Sequence, residues 1–549
     1  MSVTYPFLIV GAGPGGLMAA LELGSLFPDK SILILEKNPF TLENYLAKDF
    51  GKLSHYLDAM NDKQFSETLI STEKKTVWFG KGNGGGTLHF GLQFINTPEV
   101  IEKSYPEWKN DFVRVTEILK PQGYKEPPSD AWKEIQGVLE ANQGDVYKVY
   151  SNDIYASNIE TNERLLIGEF IANQKNITLI YDILIDQLLW DETHSNVSGV
   201  RDVKGNSYFA ETVILAAGAI QTPAILQRSG VGPKELLNKL SIPVYHDLPV
   251  GSKMYDHAGV SLTYTNIPLS SFVWNSTTLK QLYEKTGRYL YAIMGDGIPM
   301  EDRGKIYDFT DWVNQHPGGP TAIQKWVNQD FILQYPHDIT RWLSNKSKLG
   351  PSLGMYNQMS YLADLPSYLQ KEFEPQSLDS NTIVGYLQTR NPPKLSWQTY
   401  LNALPNVPKS PLIVTYALSS EIPHNGIVEI TSKDANILPS VTLNELDEIG
   451  VQYILESINI TENILLKIGW KNPQTVDASY IREKYDSIYH YHGTCPISSV
   501  VSDQYQVIGV NNLYLSDLSV LPKPWGGSTS VPSLVVGYRL AQILKNKSK

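Results

Sequence analysis

Residues 489–495 read YHYHGTC and put two histidines, a glycine and the chain's only cysteine in one heptad. Two chemistries suit such a cluster. Zinc wants at least three protein ligands, and on an extended strand Cys495 faces away from His490, so no metal site is expected. Proton transfer fits better, because imidazole titrates near neutrality and can take a proton from a substrate hydroxyl. On a strand, His490 and His492 share one face and Tyr489 and Tyr491 the other. One histidine then reaches substrate while the second sits beside it or holds the first. Cys495 reads as a small buried hydrophobe.

Residues 5–10, YPFLIV, read as a buried strand, and GAGPGG then sets Gly11, Gly13 and Gly16 at the G-x-G-x-x-G spacing. LMAALELGSLF reads as a helix, and SILILEK as a second strand ending at Glu36. Glycines let backbone approach a pyrophosphate at the helix N-terminus, while the acid bonds a ribose and disfavours a 2′-phosphate. This pattern does not separate FAD from NAD. A second run, GKGNGGGTLHFG at 80–91, is too glycine-rich for a regular element. Its apolar flanks suggest a buried passage beside a flat ring or phosphate, with Gly84, Gly85 and Thr87 as contact positions. A third element, ETVILAAGAIQTPAILQRSGVGP at 211–233, reads as a strand, a break at Gly218 and a short helix with Pro223 in its first turns. Two glycine turns suit an extended cofactor, FAD, over a transiently bound nicotinamide.

The elements sit in a chain of 549 residues, longer than one core usually grows, so two or more domains are expected. Apolar content of 42% and charge of 19% describe a folded protein. A net charge of -11 argues against nucleic acid as partner. One cysteine allows no internal disulfide. No apolar run is long enough to span a membrane, and the opening MSVTYPFLIVGAGPGG lacks the layout of a signal peptide, so an intracellular location is expected.

Together these blocks resemble the glucose-methanol-choline family of FAD-dependent oxidoreductases. GAGPGG is similar to that family's ADP-binding turn and GKGNGGGTLHFG to its first signature. Residues 213–257, from VILAAG to KMYDH, are similar to its second signature and the stretch after it. YHYHGTC with VIGVNNLYLSDLSVLP is similar to its C-terminal active-site segment. The blocks occur in the family's order. The resemblance implies an α/β Rossmann-like FAD domain within an α+β whole. Residues 1–262 form most of the FAD domain, 263–484 a substrate domain on a mostly antiparallel sheet with helices, and 485–549 the return to the FAD domain. Within the middle segment, GIVEITSKD (426–434) alternates like a strand. DWVNQHPGGPTAIQKWVNQDFILQYPHD reads as a variable cavity wall and not as a separate domain.

The resemblance also assigns roles. His490 becomes the base that removes a hydroxyl proton as hydride leaves the carbon for the flavin, with oxygen or a quinone-like acceptor taking the electrons. The family's second polar group, His or Asn, falls on Ser528, which can hydrogen-bond a substrate oxygen but carries no charge. His492 is a candidate to compensate. Asp517 matches an acidic position near the FAD diphosphate. Asp256 and His257 look structural. His89 stands where some members join histidine covalently to the flavin and others hold FAD noncovalently, and both readings stay open. A small-molecule alcohol or sugar is the implied substrate. A lyase of the hydroxynitrile type and a flavoprotein with an eroded site are the alternatives.

Overall fold

The computed structural model describes residues 3–265 apart from 53–58, 60–61, 90–92, 95–104, 123–136, 138–139, 142–146, 152, 155, 159–160 and 162. It describes 426–548 apart from 444–445, 468, 470–474 and 526–527, and between these blocks only the strands at 290–292, 306–308, 382–389, 397–403 and 412–419.

The apolar run at the N-terminus becomes the strand Thr4–Val10, the middle of a seven-stranded sheet. Ile32–Leu35 and then Ile177–Ile180 lie parallel on one side of it, and Ser207–Leu215 lies parallel on the other. Ser207–Leu215 then pairs antiparallel with Val197–Asp202 along its first half and parallel with Leu513–Leu515 along its last residues. Val197–Asp202 in turn pairs with Ile185–Trp190. Leu8, Ile9, Leu33, Ile34, Val213 and Ile214 are all fully buried, as strands covered on both faces require. The helices Pro14–Leu26 and Ser530–Lys547 cover one face.

A second sheet is antiparallel, in the order Asp486–Ser487, Ala258–Thr265, Leu412–Ser419, Trp397–Ala403, Thr382–Thr389, Tyr147–Ser151. The helix Glu448–Leu466 lies on it. Asp447 caps this helix by accepting from Gly450 N (2.7 Å), and Val451, Ile454 and Ile458 pack on Val260 and Ala417. The expected boundaries shift accordingly. The strand Ala258–Thr265 runs through the expected 262/263 boundary, and 147–151 and 486–487 join the second sheet although they fall in the expected FAD-domain segments. Edge pairing overrides segment order here, because each strand goes where unpaired backbone groups await it. GIVEITSKD yields only the short strand Ile427–Glu429, paired with Ser440–Thr442 outside both large sheets. Gly251 O accepts from Val428 N, which docks it on the first lobe instead.

The two covering helices touch through glycine. A Cβ on Gly537 would stand 2.2 Å from Gly15 O and 2.9 Å from Ala19 N. Alanine normally favours a helix interior by about 1 kcal/mol over glycine. Here the clash is with backbone, so Gly537→Ala should destabilise by about 1–3 kcal/mol, the overpacking scale. Urea unfolding checks this; a rise in midpoint would show that the helices are not in this contact.

Candidate active site and cofactor cradle

A cleft of about 440 Å³ runs from Glu36 past the glycine turns to residues 488–491 and 528–530. That size suits a bound small molecule. Its floor is the first glycine turn. Gly11 takes φ +101, and a Cβ there would meet Ala216 O at 2.6 Å, so only glycine fits. Gly16 packs beneath, against Gly11 O, and does not line the cleft. Glu36 is buried and accepts from Ala12 N (2.9 Å), Asn38 N (2.9 Å) and Gly82 N (3.2 Å). Two carboxylate oxygens offer about four acceptor sites, so one remains for a ribose.

The second glycine run lies against the first. Gly84 N donates to Ala12 O (2.8 Å), and a Cβ on Gly85 would stand 3.0 Å from Gly13 Cα. Gly85, Gly86, Thr87 and His89 line the cleft, whereas Gly84, at φ +130, serves the turn. Buried Arg164 fixes this run by donating to Thr87 O (2.9 Å) and Leu88 O (2.9 Å). His89 is 1% exposed, its ring edge meets Trp78, and no hydrogen bond of regular geometry reaches either ring nitrogen. Burial, then the Arg164 charge, push its pKa down to about 3, against opposing backbone groups of Phe65 and Ala59.

The third element is the strand Ser207–Leu215 followed by the helix Gly218–Arg228. Pro223 sits well inside that helix and not in its first turns. Its missing N–H leaves Ala219 O without the usual donor, and Thr494 Oγ1 takes that carbonyl (2.7 Å). The heptad is thereby tied to the cradle. Asp517 accepts from Gly218 N (2.9 Å), Thr222 Oγ1 (2.6 Å) and Ser519 N (2.8 Å) at the start of the helix, and burial raises its pKa.

The heptad is not a regular strand. Tyr489 takes φ +63 and Gly493 φ +79, and only His492 bridges to a neighbour, Tyr255. The expected alternation therefore fails. Tyr489, His490 and Tyr491 all line the cleft, and His492, fully buried, turns behind them. Its Nδ1 donates to His490 O (2.7 Å) and its Nε2 accepts from Trp525 N (3.1 Å). With both nitrogens engaged, His492 offers substrate nothing, and the sequence expectation of a catalytic role is corrected to a structural one. Cys495 is buried, which pushes its thiol pKa up.

His257 and Asp256, read from sequence as structural, touch His490 directly. His257 Nδ1 lies 2.8 Å from His490 Nδ1, and His257 Nε2 lies 2.7 Å from Trp525 O. Asp256 Oδ1 accepts from His490 N (2.9 Å) and His257 N (2.8 Å), while Ser487 Oγ donates to Oδ2. The "DH" pair ending the second signature was the available signal. Ser528 Oγ lies 3.2 Å from Ser530 Oγ, and both line the cleft at the start of the last helix. Arg228 also lines it, with Nη1 unpartnered among the described residues and a pKa pushed down to about 10 by burial.

A family model described as GMC oxidoreductase matches residues 165–259 and a second, of the same description, residues 424–537. The chain belongs to the glucose-methanol-choline family of FAD-dependent oxidoreductases. FAD is the cofactor of that family, and the paired glycine turns and Glu36 fit it. An oxygen-dependent choline dehydrogenase of Pseudomonas savastanoi pv. phaseolicola is 23% identical over 402 residues, 68% of this chain and 57% of that protein's length. The protein HOTHEAD of Arabidopsis thaliana is 24% identical across 99% of this chain and 89% of its own. Among solved structures, a formate oxidase of Aspergillus oryzae, in a study of FAD modification, superposes with TM-score 0.65 at 17% identity, covering 100% of this chain and 99% of that one. A fungal aryl-alcohol oxidase does so with TM-score 0.63 at 18% identity and full coverage of both. A third family model, cytochrome b5-like heme/steroid binding domain, matches residues 302–347. The stretch read from sequence as a cavity wall, DWVNQHPGGPTAIQKWVNQDFILQYPHD, lies outside the described residues and inside this match.

Burial of the imidazoles has a consequence for stability. Burial holds His257 down to about 4 and His492 to about 3, and together with the neighbouring rings holds His490 well below its ordinary value. With His89, four histidines stay neutral in the fold but protonate in the unfolded chain below about pH 6.5. Asp256, raised to about 7 by burial, works in the opposite sense, since near pH 5 only the folded form holds its proton. The unfolded state thus binds more protons, so stability falls with falling pH. Each such histidine adds up to about 1.4 kcal/mol per pH unit to that slope, and raised carboxyls such as Asp256 and Asp517 subtract from it. Urea unfolding at pH 7, 6 and 5 should show this loss, and His490→Gln should shallow it by about one proton.

Proposed function

We propose that the protein oxidises a CH–OH group of a small molecule, with His490 accepting the hydroxyl proton. The observation that carries this reading is the state of the His490 ring. Trp525 O can only accept, so His257 Nε2 bears a hydrogen and its Nδ1 a lone pair. His490 Nδ1 must then donate to His257, which leaves a lone pair on His490 Nε2. No described residue bonds that nitrogen, and the ring lines the cleft that holds the cofactor cradle. Its depressed pKa keeps it neutral and ready at pH 7. When bound, FAD supplies the hydride acceptor. Ser528 and Ser530 supply hydroxyls to the substrate oxygen, and the N-terminus of the 18-residue helix behind them favours negative charge there. That helix end stands in for the charge a second histidine would give.

Two cofactor readings accompany this. We propose that His89 joins the flavin covalently, because its buried imidazole borders the cleft with no hydrogen bond of regular geometry at either nitrogen. We also propose that the 302–347 segment would hold a haem, with His316 in HPGG and His337 as its ligands, and that the haem would supply a one-electron acceptor; the match to the cytochrome b5-like model favours this.

One absorbance experiment tests all three cofactor statements. Purified protein should show flavin bands and a Soret band. After acid precipitation the flavin should stay with the pellet, and His89→Ala should release it. His316→Ala should abolish the Soret band and spare the flavin. Protein colourless after FAD reconstitution would remove the flavin reading, extractable flavin the covalent one, and a missing Soret band after haem reconstitution the haem one.

Anaerobic rapid mixing with choline and with benzyl alcohol tests the proton step. His490→Gln should slow flavin reduction about 10²-fold or more, the general-base scale, and Ser528→Ala about tenfold. The parent rate should hold from pH 8 through 6.5 and below, since burial keeps His490 neutral well under the ordinary imidazole value. An unaffected rate in His490→Gln would end this reading.

A further inference from the structure

We propose that His257 is a positioning residue whose side chain fixes the tautomer of His490, and with it the nitrogen that can accept a proton. The inference rests on the proton-acceptor reading of His490 and deepens it.

Hydrogen-bond polarity is fixed around a closed ring of four groups. Trp525 N–H donates to His492 Nε2, and His492 Nδ1–H donates to His490 O. His490 Nδ1–H donates to His257 Nδ1, and His257 Nε2–H donates to Trp525 O. Every direction is set by two groups that cannot change role, a backbone amide and a backbone carbonyl. Reversing the His257–His490 bond would leave a bare His257 Nε2 facing the Trp525 carbonyl, lone pair against lone pair, or protonate a fully buried imidazole. His257 is 1% exposed, so water cannot substitute for a missing partner. The adjacent Asp256 grips the backbone N–H of the same residue (2.9 Å), so two consecutive side chains hold His490 by main chain and ring. Without the acceptor at His257 Nδ1, His490 is free to carry its hydrogen on Nε2, where it donates to a substrate hydroxyl instead of accepting from it.

Two polar substitutions separate the contacts. Asn at 257 keeps an oxygen attached to Cγ, where His Nδ1 is, and gives up the bond to Trp525 O. Gln extends one bond further, keeps a donor for Trp525 O and gives up the acceptor for His490. We expect His257→Gln to slow flavin reduction about 10²-fold, comparable to loss of the base, with FAD content unchanged. His257→Asn should restore the rate to within about fivefold. The probe is whichever of choline and benzyl alcohol reduces the parent protein faster. In parallel, ¹⁵N-histidine spectra, with the His490 signals identified by their loss in His490→Gln, should show a protonated Nδ1 and bare Nε2 in the parent and in His257→Asn, and the reverse in His257→Gln. If His257→Gln reduces at the parent rate while His490→Gln does not, the positioning role is wrong and the proton acceptor stands. If no alcohol reduces the parent, the acceptor reading fails, and the spectra alone decide: one tautomer in all three proteins overturns the proposal, a switch in His257→Gln sustains it.

Discussion

The backbone of one residue, Trp525, sets the hydrogen-bond polarity around His490. Its N–H is spent on His492 and its carbonyl on His257. Neither can reverse polarity, so both imidazoles are committed, and through them the ring and backbone of His490. The position of that backbone is secured by its own side chain. Trp525 is 2% exposed, lies nearly parallel to Phe112 (5.7 Å, 8°) and stacks on Tyr105 (5.2 Å). Phe112 belongs to the helix Lys109–Leu119, whose Asp111 pairs with Arg539 of the last helix. Apolar packing far from the reacting atoms thus sets a proton's location.

The same logic explains why such distant segments converge. The cleft needs backbone from the first turn, the 80–89 run, the 218 turn, 487–495 and 517–530, and each contact is a buried polar group that must be answered. Arg164 answers carbonyls of 87 and 88; Asp517 answers the N–H of Gly218; Thr494 answers the carbonyl that Pro223 leaves open. Leaving any of these unmade would cost about 1–3 kcal/mol. The seam between the two sheets is built likewise, with Tyr255 and His492 exchanging both backbone hydrogen bonds (2.8 and 3.0 Å).

The cradle was readable from sequence because glycine spacing, strand periodicity and Glu36 are local signals. The strands at 4–10 and 32–35, and the end of 207–215, come from runs of apolar residues. The heptad was legible in composition but not in conformation. Its alternation was broken by a positive φ at Tyr489, a residue type that seldom adopts one, held there by the Ser487–Asp256–His490 bonds. Those bonds come from partners some 230 positions away, which no window of sequence contains. The contact of His257 with His490 was hidden for the same reason, as was the place of Ser530 beside Ser528. Pro223 was visible, but its consequence, a carbonyl released to Thr494, needed the tertiary fold.

A base whose pKa is depressed accepts a proton reluctantly, and the site's polarity bears on where that proton can go. Each unit of depression costs about 1.4 kcal/mol on protonation. The cost is tolerable when hydride departure makes the hydroxyl proton far more acidic in the same event. Once protonated, His490 donates through Nδ1 to His257, but His257 cannot pass a proton onward, since its Nε2–H already faces a carbonyl. The buried ring is therefore a closed circuit with no exit into the core. If His490 is the proton acceptor, as proposed, the proton would leave by the nitrogen through which it entered, towards the cleft, once the oxidised product had vacated it. On that proposed reading, such a site would couple release of the proton to release of the product, and the wiring rests on one amide that can only donate and one carbonyl that can only accept.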